Sequence, residues 1–174
     1  TSLLQASHNY RESGMATYLV TAQFDNRAGE GRIASRIGIG EPADTFGPGE
    51  DLFAKLKARF AQGSVACVFI DEAQFLTKAQ VWQLACAVDD LGVPVMCYGL
   101  RTDFQGNLFS GSKALLAIAD DLREVRTICR CGKKATRRRS RIFSTISPAP
   151  CWRLCWWLPP AASPCRRGWR DCSC

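Results

Sequence analysis

Two adjacent carboxylates, Asp71 and Glu72, close the apolar run Val65-Ala-Cys-Val-Phe-Ile70 and lead into Ala73-Gln74-Phe75. Six apolar, partly β-branched residues without alternation fit a parallel strand covered on both faces. In sheets of that kind, ligands bind beyond the carboxyl ends of the strands. Successive residues leaving a strand point in different directions. One carboxylate can therefore face a metal-bound phosphate while its neighbour faces a substrate hydroxyl, the arrangement that phosphoryl transfer needs. A strand end that is merely solvated before a helix would carry the same pair, so the motif has to be weighed with its surroundings.

The elements that would position the pair can be read on both sides of it. Thr77-Lys-Ala-Gln80 is a capping box, in which the Thr hydroxyl and the Gln amide satisfy orphan backbone groups at a helix start. Val81, Leu84, Ala85, Val88 and Leu91 make the apolar stripe of the helix that follows, Gly92 suits its C-terminal cap, and Pro94 prevents continuation. Residues 93–100 then read as a second strand, which makes 65–100 a strand–helix–strand unit with a right-handed crossover. Upstream, Leu3, Leu4, Ser7 and Tyr10 recur at helical spacing up to Gly14, and 17–24 is a β-rich run. That run delivers Asp25-Asn-Arg27 into a Gly-rich polar loop expected to last to about Gly49, and 51–62 has helical character. A further helix is expected over 112–118 and an extended segment over 123–129. The fold class is α/β, an open and mostly parallel sheet with flanking helices.

Composition bounds the function classes. The chain has 174 residues and 47% hydrophobic content, enough for one domain with a core. Lys and Arg balance Asp and Glu, 15 each, over residues 1–136, whereas 137–174 holds eight Arg against one Asp, so the net charge of +7 lives in the tail. A balanced body argues against a nucleic-acid-binding face. Cys67, Cys86 and Cys97 sit in apolar contexts, where a thiol packs as a small hydrophobe in a reducing compartment. The apolar stretch around Cys155 is broken by Arg153, Pro159 and Pro160, and no leader pattern opens the chain; a cytoplasmic protein without a membrane span is expected. From Arg137 the texture changes, with four of the five Trp and no period of 2 or 3.6. Residues 137–174 are expected to be a disordered Arg-, Trp- and Cys-rich tail with the composition of an out-of-frame reading of GC-rich DNA.

Three segments taken together are more specific than the carboxylate pair alone. Val20-Thr-Ala-Gln-Phe-Asp-Asn-Arg27, Asp71-Glu-Ala-Gln-Phe-Leu76 and Cys97-Tyr-Gly-Leu-Arg-Thr-Asp-Phe-Gln-Gly106, followed by Ile128-Cys-Arg-Cys-Gly132, resemble the bacterial cytosolic thymidine kinases in order and spacing over roughly residues 1–136. The resemblance implies a P-loop-type sheet and a remnant of a small zinc-binding lasso domain. Residues 1–126 would be the kinase domain, 127–136 the first half of the zinc site, and 137–174 the aberrant tail. It implies transfer of the ATP γ-phosphate to the 5′-hydroxyl of thymidine in nucleotide salvage, with Mg²⁺, and a homotetramer. Glu72 matches the general base, and Asp71, Glu72, Ala73 and Gln74 match a nucleotide-contacting segment in which Asp71 is the metal-side carboxylate. Asp25 and Arg27 match a loop pair in the phosphate and metal environment, where Arg offers forked donors. Phe75, Leu100, Phe104 and Phe109 match the apolar pocket around the thymine ring. Cys129 and Cys131 match the first half of a structural Zn²⁺ site, with Cys165 the best-spaced thiol for its second half.

The sequence also departs from that family. The family's opening strand and Gly-Lys-Ser phosphate loop would precede Thr1, so this chain is expected to be an incomplete form whose sheet lacks one ladder partner and self-associates. Four ligands make a structural zinc site, and Gly168 stands where the family's second half has His. No Gly-Gly with a following Tyr comes after Arg137 to close over thymidine. Two other classes fit the carboxylate pair. One is an Asp-Glu-box ATP-dependent nucleic-acid remodeller with the Arg tail as an anchor, and the other is a non-catalytic fragment.

Overall fold

The computed structural model describes residues 2–23, 31–34, 38, 40–125 and 141–147. Their elements, in chain order, are α1 (Ser2–Glu12), β1 (Thr17–Ala22), β2 (Arg32–Ala34), β3 (Gly40–Pro42), β4 (Asp44–Phe46), α2 (Leu52–Ala61), β5 (Cys67–Ile70), α3 (Lys78–Leu91), β6 (Val95–Leu100), α4 (Ser110–Ile118), β7 (Asp121–Val125) and β8 (Arg141–Ile146). A six-stranded sheet runs β4-β1-β5-β6-β8-β7, and β2 with β3 forms a separate antiparallel pair. The strands β4, β1, β5 and β6 are mutually parallel. Only β8 opposes them, pairing antiparallel with both β6 and β7. This is the expected α/β sheet with flanking helices. Among the described residues no helix is long and apolar enough to cross a membrane.

The unbroken apolar run at β5 has the expected cause. Cys67, Val68, Phe69 and Ile70 are all at most 1% exposed, because layers cover both faces of the strand. Val68 and Ile70 join the larger core with Leu52 and Leu56 of α2, Val81, Leu84 and Val88 of α3, and Leu115 of α4. Cys67 and Phe69 face the other way, into a smaller core with Leu3 and Leu4 of α1. There the Phe69 ring meets Tyr10 edge-on at 5.8 Å and stacks on Tyr98 at 6.4 Å. Burying a Phe or Leu side chain is worth about 1.5–3 kcal/mol, so the strand that carries the carboxylates is among the most firmly held parts of the chain.

The helix after the site starts as its sequence dictates. Thr77 accepts from Gln80 N at 3.2 Å while the Gln80 carboxamide oxygen accepts from Thr77 N at 3.0 Å. Gly92, at φ 67°, closes the other end. The Gln80 amide also donates to the carbonyls of Gly47, at 2.6 Å, and Glu50, at 3.1 Å, which ties the turn before α2 to the start of α3.

Two expectations are corrected. Residues 31–49, read as a Gly-rich loop, contain β2, β3 and β4, because Ile33 is 5% exposed in the smaller core and Phe46 is 2% exposed in the larger one. Three-residue strands of this kind are fixed by tertiary partners, which a periodicity scan does not see. The tail is the other case. Arg141–Ile146 is not irregular but forms β8, from a run of Ile, Phe, Ser, Thr and Ile whose β-branched and aromatic residues suit a strand. Among the described residues every strand between β4 and β7 has a partner on both sides.

The interior has a pH consequence. Burial pushes the Cys67 and Cys97 thiols up to about 12 from an ordinary value of 9.0. A raised folded-state value means that stability held by the neutral thiols is complete below pH 9 and is lost as the pH climbs toward 12. At pH 8, iodoacetamide should leave Cys67 and Cys97 unmodified in the native protein and modify both in denaturant, as read by peptide mass mapping. Equal labelling in the two states would contradict the burial.

Candidate active site

The two carboxylates leave β5 through a sharp reversal. The last ladder bond runs from Asp71 N to Val20 O at 2.8 Å. Glu72 then takes the left-handed conformation, φ 51° and ψ 37°, alone among the non-glycine residues described. A bulky residue there costs on the order of 1–2 kcal/mol, and such strain persists only where the surroundings hold it. Here the Asp71 carboxylate accepts from Glu72 N at 3.0 Å. A 3₁₀ turn, Ala73–Phe75, follows at once, closed by Phe75 N to Glu72 O at 3.1 Å and Leu76 N to Ala73 O at 3.2 Å. Asp71 and Glu72 remain half-buried while Ala73 and Gln74 are buried. The reversal leaves the two neighbouring carboxylates with different partners, Glu72 N for Asp71 and Gln74 Nε2 for Glu72.

This turn sits in a cradle made by β6 and α4. Gln74, 3% exposed, donates through Nε2 to Glu72 Oε2 at 2.6 Å and accepts through Oε1 from Leu100 N at 3.0 Å. Both ends of its amide are thus engaged inside the protein. Gly99 lies so close that a Cβ there would fall 2.6 Å from Gln74 Oε1 and 3.0 Å from Gln74 N. Gly111, in the first turn of α4, is packed against the carbonyls of Ala73, Gln74 and Leu76, which a Cβ would meet at 2.6, 2.9 and 2.7 Å. Ser112, 1% exposed, donates to Leu100 O at 2.6 Å. The sequence reading did not single out Gly99, Gly111 or Ser112. The visible signal was small residues at a strand end and a helix start, where two backbones must approach closely.

The residues assigned to the thymine pocket are brought together in part. Phe75 and Phe109 meet edge-on, ring centroids 6.2 Å apart, and Phe75 stays 45% exposed. Leu100, half-buried, is tied to the same turn through Gln74. Phe104 is 81% exposed in the loop 101–109, out in solvent rather than packed with the other two rings. That loop is built around Asp103, whose carboxylate accepts from the backbone of Gln105 at 2.8 Å and Asn107 at 2.9 Å. Burial pushes the Asp103 carboxyl up, but donors from Asn107, Gln105 and Gly106 hold it below its ordinary value. Two aromatic faces left partly open beside a pair of carboxylates form an apolar surface with a polar end, the usual make-up of a small-molecule site.

The other assigned residues, Asp25, Arg27, Cys129, Cys131 and Cys165, lie outside the described residues. Among the described residues no group of three or more His, Cys, Asp or Glu is placed to hold a metal ion.

The thymidine kinase family model matches residues 1–143, a span that contains this turn, its cradle and the first rungs of β8. The chain belongs to the thymidine kinase family. It is 69% identical over 136 residues to the thymidine kinase of Ruegeria pomeroyi, a match covering 78% of this chain and 69% of that protein. The thymidine kinase of Jannaschia sp. (strain CCS1) is also 69% identical over 136 residues, covering 78% and 70%. That of Agrobacterium fabrum is 64% identical over the same length, covering 78% and 70%. The function is therefore that of a thymidine kinase, a phosphotransferase with thymidine and ATP as substrates and Mg²⁺ as the general metal of the family. Nothing in these matches favours a nucleic-acid remodeller of the Asp-Glu-box kind.

Proposed function

We propose that Glu72 is the general base for the 5′-hydroxyl of thymidine and that Asp71 is the metal-side carboxylate. The observation that carries this is the left-handed turn at Glu72, which places two neighbouring carboxylates at the carboxyl end of a buried parallel strand. Asp71 is half-buried with Oδ1 already accepting from Glu72 N. Its hard carboxylate oxygens suit Mg²⁺, directly or through water. Magnesium, when bound, neutralises the charge that develops on the phosphate oxygens. Glu72 takes the proton as the 5′-oxygen bonds to the γ-phosphorus and the bond to the β,γ-bridging oxygen breaks, leaving ADP. The turn from Asp71 to Gln74 lies against the nucleotide, with the Gln74 side chain directed inward.

Thymine binding is assigned to Phe75, Leu100 and Phe109, with Phe104 folding in over the base. Discrimination at the thymine methyl is worth ~1–3 kcal/mol in an apolar pocket. Asp25 and Arg27 are assigned to the phosphate environment, Cys129, Cys131 and Cys165 to a structural Zn²⁺ site, and the active form to a cytoplasmic homotetramer. These assignments rest on the family resemblance of the quoted motifs.

A nucleoside panel tests the reading. With ATP and Mg²⁺, thymidine should be phosphorylated with the highest kcat/KM, and deoxyuridine, lacking the methyl, should fall roughly 10- to 200-fold below it. Equal use of deoxycytidine or deoxyadenosine would count against a thymine pocket built on Phe75 and Phe109.

A further inference from the structure

We infer that Gln74 is a positioning residue that sets the carboxylate of Glu72 and locks it to the end of β6, a role that rests on the assignment of Glu72 as the base. Its amide is a two-ended strut. One end donates to Glu72 Oε2 at 2.6 Å and the other accepts from Leu100 N at 3.0 Å. The side chain is 3% exposed, so it lies within the protein where a hydrogen bond to a carboxylate is shorter and stronger than one between neutral partners. The donor fixes the position of Oε2, and with it the orientation of the carboxylate that takes the proton.

The neighbouring backbones lie close against Gln74. A Cβ at Gly99 would sit 2.6 Å from Gln74 Oε1, and Gly111 packs 2.9 Å, at its would-be Cβ, from the Gln74 carbonyl. The absence of a side chain at 99 is what lets the amide span from β6 to the base, and its absence at 111 lets α4 rest on the backbone of the same turn. Leu100, whose N–H the strut accepts, is also a proposed pocket residue, and Ser112 of α4 holds its carbonyl at 2.6 Å. Gln74 thus couples the base to the wall of the pocket, so that the thymidine sugar and the proton acceptor are set by one rigid piece.

Three variants test this. Gln74→Glu keeps the volume and the acceptor for Leu100 N but sets a like charge against Glu72. It should lower kcat about 10²-fold, the effect of misplacing a reacting group by about 1 Å, while leaving KM for thymidine unchanged. Gly99→Ala, whose new Cβ would meet Gln74 Oε1 first, at 2.6 Å, should lower kcat in the same way. The double variant Glu72→Gln/Gln74→Glu restores a donor and an acceptor with their places exchanged. It should melt above Gln74→Glu alone and transfer phosphate no more slowly than Glu72→Gln alone. Wild-type kcat in Gln74→Glu, or melting temperatures that simply add, would overturn the strut. Wild-type kcat in Glu72→Gln would instead overturn the base assignment, while the melting comparison would still decide whether the two side chains are coupled.

Discussion

Glu72→Gln should lower kcat for thymidine phosphorylation by about 10²- to 10⁴-fold, the range that a positioned general base supplies. The affinity for thymidine should hardly change. Gln has nearly the volume of Glu and keeps an oxygen that can accept from Gln74 Nε2, now 2.6 Å from the Glu72 carboxylate. The left-handed backbone at φ 51° is equally strained with either residue, so the folded structure and the melting temperature should stay close to wild type. What disappears is the capacity to take a proton. A fall in kcat with KM unchanged is the signature of an interaction made in the transition state and not in the ground state. Glu72→Asp separates geometry from chemistry. It keeps the carboxylate but withdraws it by one methylene, and a displacement of that size should cost about 10²-fold.

Gly111→Ala should destabilise the protein although it adds one methyl group to a helix, where Ala is ordinarily the better residue by about 1 kcal/mol. The contacts decide the sign. The new Cβ would meet three backbone carbonyl oxygens, those of Ala73, Leu76 and Gln74, at 2.6, 2.7 and 2.9 Å. None of these belongs to a flexible side chain that can swing away, so α4 must move off the turn. Overpacking of this kind costs typically ~1–3 kcal/mol, and at this size each kcal/mol lowers the melting temperature by roughly 2–4 °C. The displacement also pulls Ser112 from the Leu100 carbonyl that it holds at 2.6 Å. Activity should therefore fall at temperatures where the protein is still folded. Thermal denaturation with a parallel assay at 20 °C checks both parts, and an unchanged or raised melting temperature would show that α4 does not rest on the turn as described.

How far the sequence foretold this site depended on whether a residue's type reports its own surroundings. The α3 helix could be placed almost to the residue because Thr77, Gln80 and Gly92 act locally, and the capping box and left-handed cap are both found. β5 was equally plain, since a strand covered on two faces needs apolar residues at every position. The short strands β2, β3 and β4 were read as loop because Gly, Pro and charged residues surround them, and single buried anchors such as Ile33 and Phe46 decide their fate. β8 was missed for a related reason. Its run of Ile, Phe, Ser, Thr and Ile lies in a segment whose Arg and Cys content drew the reading toward disorder, and its place between β6 and β7 is a tertiary fact.

The site divides in the same way. Asp71 and Glu72 stood out as chemistry, but nothing about a glutamate announces a left-handed backbone. Gln74 was legible as part of a nucleotide-contacting segment, with no role given to its amide. The structure turns that amide inward, between Glu72 and Leu100. Gly99 and Gly111 show in the sequence only as small residues at a strand end and a helix start, because the need for a missing Cβ belongs to the residue it would strike.

Single-turnover transfer from γ-labelled ATP tests the central claim most directly, with excess protein, saturating thymidine and Mg²⁺, and wild type beside Glu72→Gln. The account predicts label on the 5′-oxygen of thymidine for both proteins, with equal end points and a transfer rate at least 10²-fold slower in the variant. Equal rates in the two proteins, or label transferred to water and not to thymidine by the wild type, would contradict it.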